Sequence, residues 1–183
     1  MHDNGIDTKI KICWWTHFPT PNQSAIVKSL RRAGIDAVIC YFKENYDDYR
    51  RSLGWKKMPL EEFEYQFSSV AEASKRIGDF SSRIQVVPSY YDLISWKLMA
   101  WCIFNGKPFV ASIENSRGRI RSFLVRKTFA KICNAFAFKV FCVGKKAVSE
   151  FSALGIRESK LAWTAYAIDD SFFVPPKESP RKE

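Results

Sequence analysis

Between Asn115 and Lys146 the chain carries nine Lys or Arg residues and no Asp or Glu, so nearly all of its formal net charge of +10 lies in one stretch. The chemistry that such a stretch supports is anion binding. Ile120, Phe123, Leu124, Phe129, Ile132, Cys133 and Phe136 recur among the charges at helical spacing, which predicts an amphipathic basic helix. Arg117, Arg119 and Arg121 fall in its first turns, where the positive end of the helix dipole disfavours cations. A phosphate or carboxylate held by guanidinium forks and free backbone N–H groups explains them; a solvated basic face is the plainer alternative. Arg117, Arg121, Arg126 and Lys127 are the candidate anion- or membrane-binding residues.

Other chemistries have few residues to draw on. His2 and His17 are the two histidines, too few for a His-rich zinc site and a poor basis for a Ser-His-Asp triad. The five cysteines sit in apolar runs with no CxxC pair, a pattern of reduced, buried thiols that points to a cytoplasmic protein. No metal is expected. The longest apolar segment, Leu93 to Phe104, contains Lys97 and is too short to span a bilayer, which takes about 20 apolar residues. Nucleic acid is not an expected partner, because no recognition motif accompanies the charge and charge alone is non-specific.

The elements that must position these residues alternate. Lys9 to Trp15 reads as a strand, Asn22 to Ala33 as a helix stopped by Gly34, and Asp36 to Phe42 as a second strand, apolar on both faces. Ile84 to Pro88, Phe109 to Ile113, Phe138 to Val143 and Leu161 to Ala167 continue the strands. Asp92 to Phe104, the basic segment and Gly144 to Leu154 supply helices between them, and Gly34, Gly106 and Gly155 stand where helix ends favour a left-handed residue. This alternation predicts an α/β fold, a Rossmann-like open parallel sheet of about six strands with helices on both faces and the first strand central. The segment Lys43 to Gln66 holds Tyr46, Tyr49, Trp55, Phe63 and Tyr65, either a ligand-facing insertion or rings that cover the core. One domain over residues 1–174 is expected, with a linker or disordered tail over 175–183.

After the first strand comes Thr16-His17-Phe18-Pro19-Thr20-Pro21-Asn22, with no GxGxxG, and the chain has no GxxxxGK[ST]. Dinucleotide binding and P-loop phosphoryl transfer are therefore disfavoured. Because open α/β sheets bind ligands at the C-terminal ends of their strands, His17, Asn22, Glu114, Asn115 and Arg119 are expected to converge there as the ligand-binding set, which the resemblance below makes acceptor-binding. Glu114 would orient a ligand hydroxyl or pair with Arg119.

The acceptor enters through a family resemblance. Leu154-Gly155-Ile156, Lys160-Leu161, Tyr166-Ala167-Ile168-Asp169 and Phe172-Phe173 follow in the order and spacing that end the N-terminal domain of GT-B glycosyltransferases of the large retaining family 4. Gly106-Lys107-Pro108-Phe109-Val110 is similar to that family's entry to its fourth strand, followed here by Glu114-Asn115. The resemblance implies an N-terminal, acceptor-binding half of a glycosyltransferase that moves a sugar from a nucleotide sugar to a membrane-linked acceptor in cell-surface polysaccharide biosynthesis. It implies that the chain needs no cofactor of its own, the nucleotide sugar binding to a C-terminal GT-B domain supplied in cis or in trans, and that the chain alone is inactive. Its partners would be a glycan or lipid-linked acceptor and an anionic membrane surface, and its location peripheral at the cytoplasmic face. A non-catalytic binding module or a split-enzyme subunit is the alternative.

Overall fold

The computed structural model describes residues 10–42, 52, 59–88, 90–114 and 123–165. Seven strands form one sheet: β1 (Lys11–Thr16), β2 (Asp36–Tyr41), β3 (Glu64–Gln66), β4 (Ile84–Val87), β5 (Phe109–Ile113), β6 (Lys139–Val143) and β7 (Leu161–Thr164). Their order is β3-β2-β1-β4-β5-β6-β7, and every pairing is parallel. The helices between them are α1 (Pro21–Arg32), α2 (Val70–Arg76), α3 (Leu93–Phe104), α4 (Phe123–Phe136) and α5 (Lys145–Ala153). The Rossmann-like reading holds, with β1 third of seven rather than central; β4 takes the middle. From β1 the chain builds outward to β2 on one side and returns to β4 on the other. That reversal opens a crevice at the C-terminal ends of β1 and β4.

The strands are apolar on both faces because both faces are packed. Side chains alternate along each strand, so Trp14 and Trp15 enter different cores. Trp15 lies with Phe67, Phe80, Leu98, Phe109, Phe129 and Phe151, the layer to which α2, α3, α4 and α5 contribute. Trp14 lies with Ile39, Val86, Val110 and Val27 of α1. Among the described residues α1 is the one helix that adds to this second core. Among the described residues the sheet is thus covered by four helices on one face and by one on the other.

Two elements depart from the sequence reading. β3 lies at the end of Lys43 to Gln66, the segment expected as a ligand-facing insertion or as rings over the core, and α2 falls in a stretch to which the sequence reading gave no element. The described rings cover the core, with Phe63 buried and Tyr65 stacked on Phe67 at 6.0 Å. Tyr46, Tyr49 and Trp55 lie outside the described residues. The signal for α2 was present as Ser69 and Glu72: the Ser69 hydroxyl accepts from the Glu72 N–H, and the Glu72 carboxylate accepts from Ser68. The three predicted helix-ending glycines have φ of 84° (Gly34), 59° (Gly106) and 94° (Gly155). All five cysteines are free and buried, and burial pushes the Cys102 and Cys133 thiols up to about 12, far from nucleophilic use.

Candidate active site

Because the strands are parallel, they deliver their last residues to one edge of the sheet. A cleft of about 720 Å³ opens there. β1 contributes Thr16 and His17, the turn after β4 contributes Pro88 and Tyr91, and β5 contributes Ser112 and Glu114. Val143 of β6 and Thr164 of β7 close the far side, while Asn22, Gln23, Ile26 and Leu30 of α1 form a wall. The volume suits a small-molecule ligand.

His17 is held in a definite geometry. Its Nε2–H donates to Asp92 Oδ2 at 2.9 Å, and its ring meets Phe42 edge-on at 6.4 Å. Asp92 is itself fixed as the N-cap of α3, where Oδ1 accepts from the Ser95 N–H at 2.7 Å and Oδ2 from the Ser95 hydroxyl at 2.9 Å. Burial alone would raise the Asp92 carboxyl. The bonds from His17 and Ser95 outweigh it and hold the group well below the usual carboxylate range. A half-buried, ionised carboxylate thus orients an imidazole that lines the cleft, taking up Nε2 and leaving Nδ1 as the nitrogen a general base would use.

The cleft gathers His17, Asn22 and Glu114 of the predicted set, with Glu114 exposed at the rim. Asn115, Arg117, Arg119 and Arg121 lie outside the described residues, as does any pairing of Glu114 with Arg119. Arg126 and Lys127 are half-buried on α4, and Lys127 Nζ donates to the Leu154 carbonyl at the end of α5 while lying 5.4 Å from the centre of the Phe123 ring. Asp92 was read only as a helix start. Its role depends on α3 beginning beside the loop after β1, a neighbourhood set by the β1–β4 pairing. Among the described residues no cluster of His, Cys, Asp or Glu has the form of a metal site.

The same Rossmann-like fold, with its cleft at the strand ends, is found in known structures. Anabaena Alr3699/HepE, in complex with UDP and glucose, matches 91% of this chain with a TM-score of 0.61 and 13% identity. The complex of the same protein with UDP-glucose gives 0.60 and 14%, and that with UDP gives 0.56 and 12%. The chain spans 47% of the length of those proteins. No family model and no curated protein sequence matches it.

Proposed function

We propose that this chain is the N-terminal, acceptor-binding half of a nucleotide-sugar-dependent glycosyltransferase that extends a membrane-linked glycan. The observation that carries the reading is the His17–Asp92 pair, set in a small-ligand cleft at the strand ends. Sugar transfer requires an acceptor hydroxyl to lose its proton as its oxygen bonds the anomeric carbon and the nucleoside diphosphate departs. His17 would take that proton while Asp92 stabilises the imidazolium. Glu114 and Asn22 would orient neighbouring hydroxyls. A base on the acceptor side suits in-line displacement with inversion, whereas the resemblance to family 4 implies retention; the anomeric configuration of the product distinguishes them.

The cleft also supports a division of labour. Although the chain has a net charge of +10, no Lys or Arg is among the described residues that line the cleft. A nucleoside diphosphate needs cations or free N–H groups around it, so the donor is assigned to a complementary half, in cis or in trans. The chain alone is then expected to transfer no sugar, and the chain joined to a matching donor half to do so, in an assay with a panel of nucleotide sugars and glycan acceptors. Turnover by the isolated chain, or its absence in every joined pair that folds, would overturn the reading.

Association with an anionic membrane is part of the proposal. Among the described residues no helix is long and apolar enough to cross a membrane. On α4 it is Lys131, rather than Arg126 or Lys127, that stands exposed, with Phe123 and Leu124 exposed on the same side of the helix. Apolar side chains and a cation on one helix surface suit shallow insertion among anionic headgroups. Co-sedimentation should show binding to phosphatidylserine vesicles and little to phosphatidylcholine vesicles, weakening as salt rises, with each basic residue worth about 1 kcal/mol. Equal pelleting with both, or none with either, would defeat the idea.

A further inference from the structure

The cleft continues as a groove along the face of the sheet on which α1 packs, where no other described helix lies. α1 starts at the mouth and descends, and it presents Asn22, Ile26 and Leu30 to the cavity at four-residue intervals. Eight residues of helix span about 12 Å, so the wall changes from amide to aliphatic over that distance. The floor changes in step. Trp14 lies two residues deeper in β1 than Thr16, and Phe141 two deeper than Val143 in β6, both lining the same cavity. Gln23 Oε1 accepts the Trp14 indole N–H at 2.7 Å, so the polar edge of that ring is already satisfied. Ile26, Leu30 and Phe141 pack against the second core and remain only partly buried. An apolar surface that is continuous with a polar mouth, and over which α1 is the one helix among the described residues, is what a two-part ligand would cover.

We infer that the ligand of this site is an amphiphile, with a hydroxyl-bearing head at His17, Asn22 and Glu114 and an apolar tail along Ile26, Leu30 and Phe141. The inference rests on the acceptor-site reading of the mouth and adds the chemical class of the acceptor. The head carries no anionic group where it meets the described residues, because none of those lining the cavity is Lys or Arg. The volume of about 720 Å³ accommodates a monosaccharide with a short alkyl or isoprenoid group.

The test is a series of β-D-glucosides, from methyl through butyl and hexyl to octyl and decyl, kept below their micelle-forming concentrations and titrated against the full chain by tryptophan fluorescence and calorimetry. Affinity should rise by about fourfold for each methylene buried. It should level off once the tail outgrows the row from Asn22 to Leu30. The double variant Ile26→Gln/Leu30→Gln should flatten the series, and Phe141→Ser, on the facing wall, should flatten it too, so that misfolding of one variant does not decide the matter. Circular dichroism checks each. Affinity independent of tail length, or a rise that continues without levelling and persists in both folded variants, as for partition onto any greasy surface, would overturn the inference. The two readings fail separately: an intact length series without sugar transfer in any joined pair would remove the glycosyl-transfer reading alone. Transfer to short soluble acceptors with a flat series would remove only the apolar tail.

Discussion

Replacing His17 by Ala, in the chain joined to its donor half, is expected to lower kcat by about 10²–10⁴-fold, the usual contribution of a positioned general base, while KM for the acceptor changes by only a few fold. The geometry explains the asymmetry. His17 is fixed through Nε2 to Asp92, so its remaining nitrogen acts on the proton in flight rather than on the resting ligand. Binding is left to Asn22, Glu114 and the aromatic lining. Asp92→Asn should separate the two jobs of the carboxylate. Asn caps a helix about as well as Asp, so α3 keeps its start. The imidazolium, however, loses its counter-charge, and kcat falls. The sign of the pH effect follows from the depressed carboxyl: its contribution to stability is fully present above the unfolded-state value of about 3.9 and is lost as pH falls toward the folded value. Melting temperature should therefore drop less steeply between pH 5 and 3 in Asp92→Asn than in the parent. Unchanged kcat in His17→Ala would move the base elsewhere.

The strands were readable because a parallel strand covered on both faces must be apolar throughout. The runs expected at Asp36 to Phe42, Phe109 to Ile113 and Phe138 to Val143 are found as β2, β5 and β6 within one residue at each end. β3 was not readable for the same reason reversed. It is three residues, Glu64, Tyr65 and Gln66, paired on one side only to β2, so no apolar run announces it. α4 shows a different failure. Its inward residues Phe129 and Cys133 are fully buried, but Phe123 and Leu124, counted in the same stripe, stand 69% and 73% exposed. At about 100° per residue they lie a third of a turn or more from Phe129. A stripe drawn from apolar residues alone merged an inner face with an outer one.

The site divides in the same way. That His17, Asn22 and Glu114 share a cleft follows from strand order and the rule that parallel sheets bind at their C-terminal edge. That Asp92 holds His17 does not follow, since an Asp before an apolar helix is sufficiently explained as a cap. The groove beyond the mouth was hidden for a related reason. Ile26, Leu30 and Phe141 look like ordinary core residues until the absence of a second described helix on that face leaves them at a cavity wall.

Arg83→Met is expected to destabilise the fold by about 3–5 kcal/mol, the cost of breaking a buried ion pair from one side. For a chain of this size the melting temperature should fall by roughly 6–20 °C. Arg83 stands at the start of β4, at the opposite end of the sheet from the cleft, with its side chain 7% exposed. Its guanidinium forks across Asp36 at the start of β2, Nη2 to Oδ2 at 2.8 Å and Nη1 to Oδ1 at 3.2 Å, and Nη1 also donates to the Asp36 carbonyl at 3.0 Å. Nε donates to Asp79 Oδ1 at 2.7 Å, and Lys11 of β1 reaches the other Asp79 oxygen at 2.8 Å. One side chain thereby ties the beginnings of β1, β2 and β4, the strands that flank the reversal of sheet order. Methionine matches the length of the stem but leaves two carboxylates facing each other without the fork. Burial would raise the Asp79 carboxyl, yet the bonds from Arg83 and Lys11 lower it overall, so its contribution is present at neutral pH and lost on acidification. The gap between parent and variant should consequently be widest near pH 7 and narrow toward pH 3, and Arg83→Lys, which keeps the charge without the fork, should recover only part of it. Glucoside binding measured well below the melting temperature should be the same in parent and variant, because the cleft is built at the other end of the strands. A fall of less than about 3 °C, or a gap that does not change with pH, would show that the network is not what fixes the strand starts.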